Sequence, residues 1–133
     1  MSWIAVIVAG LLYFVFGGLW FSKFAFGKKW DEALGFDRPE GWKETTIYFV
    51  GPAVGSLVAS VAMALLGHGV GVASFGDAVS LGLVTGIGFA ATVSVTNAIN
   101  PKIPKPLLYG AVTGSYHVLG AVLLAVIQYA IAG

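Results

Sequence analysis

The sequence predicts an all-α, polytopic membrane protein: a four-helix transmembrane bundle with both termini outside. Three observations predict it. Charged residues make up only 10% of the 133 residues, and hydrophobic ones 58%. A soluble domain carries roughly 25% charged residues, so this chain cannot cover a water-facing surface. Four stretches reach the apolar length of about 20 residues that crosses a hydrocarbon core about 30 Å thick. All seven Lys and Arg residues fall in two of the connections. The net charge of +1 gives no basic surface for nucleic acid. The absence of cysteine excludes thiol chemistry, disulfides and Cys-ligated metal.

The first span covers about residues 3–21. No basic residue precedes it and its positive charges follow it, so it reads as a span and not as a cleavable signal. Gly17 and Gly18 are expected to loosen its end. In the long connection that follows, residues 26–34 read as a short interfacial helix. Phe26, Trp30, Ala33 and Leu34 share one face, with Lys28, Lys29, Asp31 and Glu32 off it. Gly35 ends it. The second span covers about 46–66, with a kink expected at Pro52. The segment 67–76 reads as a loop that carries His68. Ser74 and Asp77 have the spacing of a helix cap with an acid at its third position. The third span covers about 77–98 and is stopped by Asn100–Pro101. The fourth covers about 106–131 and opens on Pro106, which suits a first helical turn.

Lys23, Lys28, Lys29, Arg38 and Lys43 lie between spans one and two, and Lys102 and Lys105 between spans three and four. Lys and Arg stay on the cytoplasmic side, which sends both termini outward in a bacterial cytoplasmic membrane. Trp3, Trp20, Trp30, Trp42 and Tyr129 fall near the interfaces, as an aromatic belt does.

Helices in lipid associate through close packing of small residues. Gly51 and Gly55 in span two, Gly82 and Gly86 in span three, and Gly110 and Gly114 in span four are the expected packing positions. Gly51–Ser56 (GPAVGS) and Gly110–Ser115 (GAVTGS) look alike, though the match does not extend to the other spans. On span four, Gly110, Gly114, His117, Ala121, Ala125 and Gln128 form one stripe. Leu108, Val112, Leu119, Leu123 and Val126 form the opposite one, which is expected to meet lipid.

His117 lies 11 residues into span four, about 17 Å from its start at 1.5 Å per residue. An ionisable group at that depth faces a neighbouring helix or a cavity. It is expected to be neutral, because desolvation disfavours the imidazolium. Thr92 is expected level with it, and Tyr13 and Tyr116 are expected to close the site. One reading is a proton or ligand site. The other is interhelix glue, favoured by the lack of an acidic partner at that depth.

Two segments carry a resemblance: Gly17–Gly35 (GGLWFSKFAFGKKWDEALG), and residues 96–127 with Tyr116–His117. Together they resemble a family of small four-span bacterial integral membrane proteins classified only as a domain of unknown function. Family members often carry Pro where Lys23 stands here. The resemblance implies fold and membrane location and adds no catalytic residues.

No catalytic motif, P-loop or metal-ligand cluster is present, so the chain reads as a non-enzyme without cofactor. Expected partners are the lipid bilayer, further copies of the chain in a homo-oligomer, and a membrane-protein partner. Two functions are open. One is binding or passing a small solute, ion or proton near His117. The other is a non-transporting structural or accessory subunit of a larger membrane complex.

Overall fold

The computed structural model describes residues 1–133 and is all-helical. Helix α1 is Trp3–Trp20, α2 is Gly27–Leu34, α3 is Ile47–Val70, α4 is Phe75–Ala98 and α5 is Pro106–Ala132. All but α2 are long and apolar enough to cross a membrane. The termini and the α3–α4 turn lie at one end, here the terminal end. The two Lys-bearing connections lie at the other, the basic end.

Local chemistry sets the boundaries. Ser2 caps α1 by accepting from the Ala5 N–H at 3.2 Å. Gly35 ends α2 and Gly71 ends α3, each with a positive φ that suits glycine. Gly67 and Gly69 do not stop α3, so it runs past the expected end and His68 lies on its last turn, not in a loop. Helix α3 passes through Pro52 without a break. Ser74 accepts from the Asp77 N–H at 3.0 Å and Asp77 accepts from the Ala73 N–H at 3.0 Å, a complete capping arrangement.

Helix α5 is the centre of the protein. It packs on α1, α2 and α4 and touches α3 near the terminal end. Its exposed residues before the last turn are Leu107, Ala111, Ser115 and Leu119. Val112 is only 6% exposed, so the expected lipid stripe is wrong at that position. The expectation gave α5 one neighbouring face, whereas α5 has neighbours on most of its circumference.

The α4–α5 contact is backbone to backbone. A Cβ on Gly82 would lie 2.4 Å from Val122 Cα, and one on Gly86 would lie 2.8 Å from Val118 Cα. Gly110 and Gly114 meet Val95 and Ala91 of α4 at ordinary or slightly tight distances. In α3, by contrast, Gly51 and Gly55 are exposed, and nothing outside α3 approaches either within 4 Å. Those two packing expectations are corrected: α3 turns Ser56, Ser60 and Met63 inward instead. The GPAVGS and GAVTGS segments therefore occupy unlike environments, since Ser56 is buried and Ser115 exposed.

Residues Gly86–Ala91 form a π-helical turn inside α4. A π turn holds an extra residue. It moves the α5-facing row from Gly82 and Gly86 to Ala91 and Val95, one position later than a straight helix allows.

At the basic end, α2 docks on the start of α5. Ala33 is fully buried, the Lys105 N–H donates to the Ala33 carbonyl at 3.1 Å, and the Trp30 and Tyr109 rings pair. Lys105 donates to Glu32. The Arg38 guanidinium bonds both carboxylate oxygens of Asp31 and stacks 4.7 Å from the centre of the Trp42 ring. The two Lys-bearing connections are thus fastened to each other.

Candidate functional site

The site is built on the crossing of α1 with α5, which run antiparallel. Each helix carries a tyrosine four residues before a glycine: Tyr13 and Gly17 in α1, Tyr116 and Gly120 in α5. Each tyrosine lies on the other helix's glycine. A Cβ at Gly120 would fall 2.1 Å from Tyr13 Cε1, and one at Gly17 would fall 2.6 Å from the Tyr116 hydroxyl. Only glycine at both places lets the rings enter. The two rings then stack with centroids 5.1 Å apart. Phe16 and Phe21 flank Tyr116 at 5.5 and 5.1 Å, closing an aromatic block around it.

This exchange positions the polar atoms. The Tyr13 hydroxyl lies 2.8 Å from His117 Nδ1. The Tyr116 hydroxyl donates weakly to the Tyr13 carbonyl at 3.4 Å, and Ser56 of α3 lies beside it. Trp20 Nε1 donates to the Val112 carbonyl at 3.0 Å and pins the basic end of the same crossing.

His117 is half-buried. Its Nδ1 is engaged by Tyr13, while its Nε2 has no protein partner and is not sealed from its surroundings. If Tyr13 donates to Nδ1, the neutral ring carries its proton on Nε2 and presents a donor there. If the ring gains a second proton, the Tyr13 hydroxyl can turn to accept from Nδ1. The pair can therefore hold either protonation state without rearranging the helices.

Of the expected site residues, Tyr13, Tyr116 and His117 come together. Thr92 does not. It is exposed, and its hydroxyl donates to the Ile87 carbonyl at 3.0 Å across the π turn. The same extra residue that shifts the α4 packing row carries Thr92 outward. Gly88 is also exposed, and a Cβ there would meet nothing within 4 Å.

Sequence reasoning missed Ser56, Ser60 and Gly120, and it expected Gly17 to loosen α1, whereas the helix runs on to Trp20 and Gly17 receives Tyr116. The two Tyr-x-x-x-Gly spacings were a signal that could have found both glycines. Toward the terminal end, Ser60 is fully buried and donates to the Val6 carbonyl at 2.7 Å. Gln128 Nε2 donates to the Ser60 carbonyl at 2.8 Å and to Ser60 Oγ at 2.9 Å. No group of three or more His, Cys, Asp or Glu residues could hold a metal ion.

Residues 4–129 match the model of the family described as "Protein of unknown function (DUF1761)", and the chain belongs to that family. No curated protein and no solved structure matches it.

Proposed function

We propose that this DUF1761 member binds or passes a proton or a small polar solute at the His117–Tyr13 pair. One observation carries the reading: His117, about midway along α5, has one ring nitrogen fixed by Tyr13 and the other without a protein partner. An unpaired polar group in hydrocarbon costs roughly 2–7 kcal/mol. That cost is removed if water, a solute or a second copy of the chain meets Nε2. Close glycine contacts of α5 with α1 and α4 leave little room around His117 inside one chain, so a pathway belongs at an interface between copies in a homo-oligomer.

The test is flux in proteoliposomes under an imposed pH gradient. His117→Gln is expected to fold normally, because its amide can replace the bond to Tyr13, and to lose the pH-dependent flux. Tyr13→Phe should weaken that flux. Flux in His117→Gln equal to that of the parent protein would sink the proposal.

The proposed location is the bacterial cytoplasmic membrane with both termini outside, supported by the seven basic residues in the two fastened connections. Cysteine at Lys102 should resist an impermeant thiol reagent in intact cells, and cysteine at Ser2 should react. The opposite pattern would invert the orientation.

A second reading, a non-transporting accessory subunit of a larger membrane complex, draws on α3. Its first turn exposes Ile47, Tyr48, Phe49 and Val50, of which Tyr48 meets the Trp42 ring. Crosslinking from these positions to another membrane protein, with no flux in liposomes, would favour it.

A further inference from the structure

A second polar group is set apart from His117. Gln128 lies 11 residues further along α5, about 17 Å away at 1.5 Å per residue, and does not depend on the reading given to His117. Its side chain is nine-tenths buried yet lines a cavity of about 210 Å³ at the terminal end, between α1, α3, α4 and α5. The hydrogen-bond network fixes which way its amide points. Nε2 must face Ser60, because the Ser60 carbonyl only accepts and the Ser60 hydroxyl proton is already given to Val6. The reverse amide would set two acceptors against each other. Gln128 Oε1 is therefore the free end, with no protein partner and not sealed off.

Most of the rest of the cavity is apolar. Val6, Met63, Val72, Leu81 and Ala125 form its walls, and His68 and Tyr129 also line it. No Lys or Arg is among the lining residues, and Asp77 nearby is committed to its helix cap. The chain ends, Met1 and Gly133, also line it. A buried acceptor among mostly apolar walls selects a molecule with an apolar body and one hydrogen-bond donor, and burial there disfavours a charged one. Size narrows it further. Drug-sized ligands occupy about 300–1,000 Å³, whereas an apolar cavity of about 150 Å³ takes benzene. We propose that this cavity is a binding site for a small neutral amphiphile of the size of a single ring, such as a phenol or short alcohol, held by a donor to Gln128 Oε1.

The test uses the full chain in lipid nanodiscs, with 4-fluorophenol and fluorobenzene as probes followed by fluorine NMR. The phenol is expected to show saturable binding about tenfold or more tighter than fluorobenzene, the difference one hydrogen bond supplies. Gln128→Met keeps the volume and removes the acceptor, and should bring the two probes to equal affinity. It also removes the bonds to Ser60 and could unfold the protein, so Ala64→Trp serves as the second variant. Ala64 lines the cavity at a half-buried position. Tryptophan there should fill the space and abolish saturable binding of both probes while the fold stays intact. The proposal is overturned if the phenol shows only non-saturable partition into lipid, or if both probes bind equally to the parent protein. It is also overturned if the phenol's advantage survives in folded Gln128→Met, or if binding survives Ala64→Trp.

Discussion

Gly120→Ala tests whether packing sets the His117 geometry. The added Cβ would sit 2.1 Å from Tyr13 Cε1 and 2.6 Å from Cζ. Carbon atoms rest at about 3.5–4.0 Å, so the ring must retreat by about 1.5 Å. Tyr13 is 7% exposed and its other face stacks on Tyr116, so it cannot simply swing aside. A shift of that size takes its hydroxyl beyond hydrogen-bond reach of His117 Nδ1, now 2.8 Å away. Overpacking costs about 1–3 kcal/mol and the lost bond about 0.5–1.5 kcal/mol. The helix preference for Ala over Gly returns about 1 kcal/mol. The net is a loss of about 2 kcal/mol, roughly thirtyfold in the folding equilibrium. Reversible unfolding in mixed micelles measures the loss, and nitrogen NMR of the His117 ring reports the bond. Gly18→Ala is the control, since nothing lies within 4 Å of its Cβ position. If Gly120→Ala matches Gly18→Ala in stability and leaves the His117 ring signals unchanged, the reasoning fails.

Gly82→Leu should separate α4 from α5 and lower the melting temperature in detergent, whereas Gly55→Leu should leave the isolated chain unchanged; equal effects would show the α3 and α4 faces to be misassigned. The α2 docking should weaken in acid. The hydrogen bond from Lys105 holds the Glu32 carboxyl below its usual range. A carboxyl lowered in the folded state stabilises it above the unfolded pKa, roughly 4.3 for Glu. That stabilisation is lost as pH falls through the lower folded value. The pair is exposed, so the effect is small and screened by salt. Trp30 fluorescence should report it, and the acid transition should disappear in Glu32→Gln.

Span lengths and the presence of the short helix after span one were legible because the bilayer sets a length and periodicity marks a face. Helix α2 shows this from Trp30 on: Trp30, Ala33 and Leu34 stay on the protein side while Lys28 and Lys29 stay out, but Phe26, expected on the same face, precedes the helix and is exposed. Small-residue runs were a weaker guide. Gly82 and Gly51 head similar runs, yet one touches a neighbouring backbone and the other faces outward. What separates them is which helix lies alongside, and that is a long-range fact. The π turn was hidden for another reason. Its sequence GIGFAA also suits an ordinary helix, and the extra residue shows only in the packing row, where Ala91 stands in place of Ala90. Placing Thr92 beside His117 depended on the regular helix that this turn interrupts.

Two kinds of polar group inside the spans differ in a way that bears on function. The hydroxyls of Thr85, Thr92 and Thr113 each turn back to a carbonyl of their own helix. A hydroxyl rotates, so it can always find such a carbonyl, and its presence in lipid implies nothing more. An imidazole and a carboxamide are different. Each has two polar edges held rigidly apart, and fixing one edge aims the other. Tyr13 fixes Nδ1 of His117, and Ser60 fixes Nε2 of Gln128. In both cases the opposite edge is left without a protein partner. Helix glue alone is served by the first edge, and a smaller hydroxyl would do it without leaving a second group unpaired. Two residues of this rigid kind, both on the inward stripe of α5 and both aimed away from their anchors, fit groups that meet something other than the chain itself.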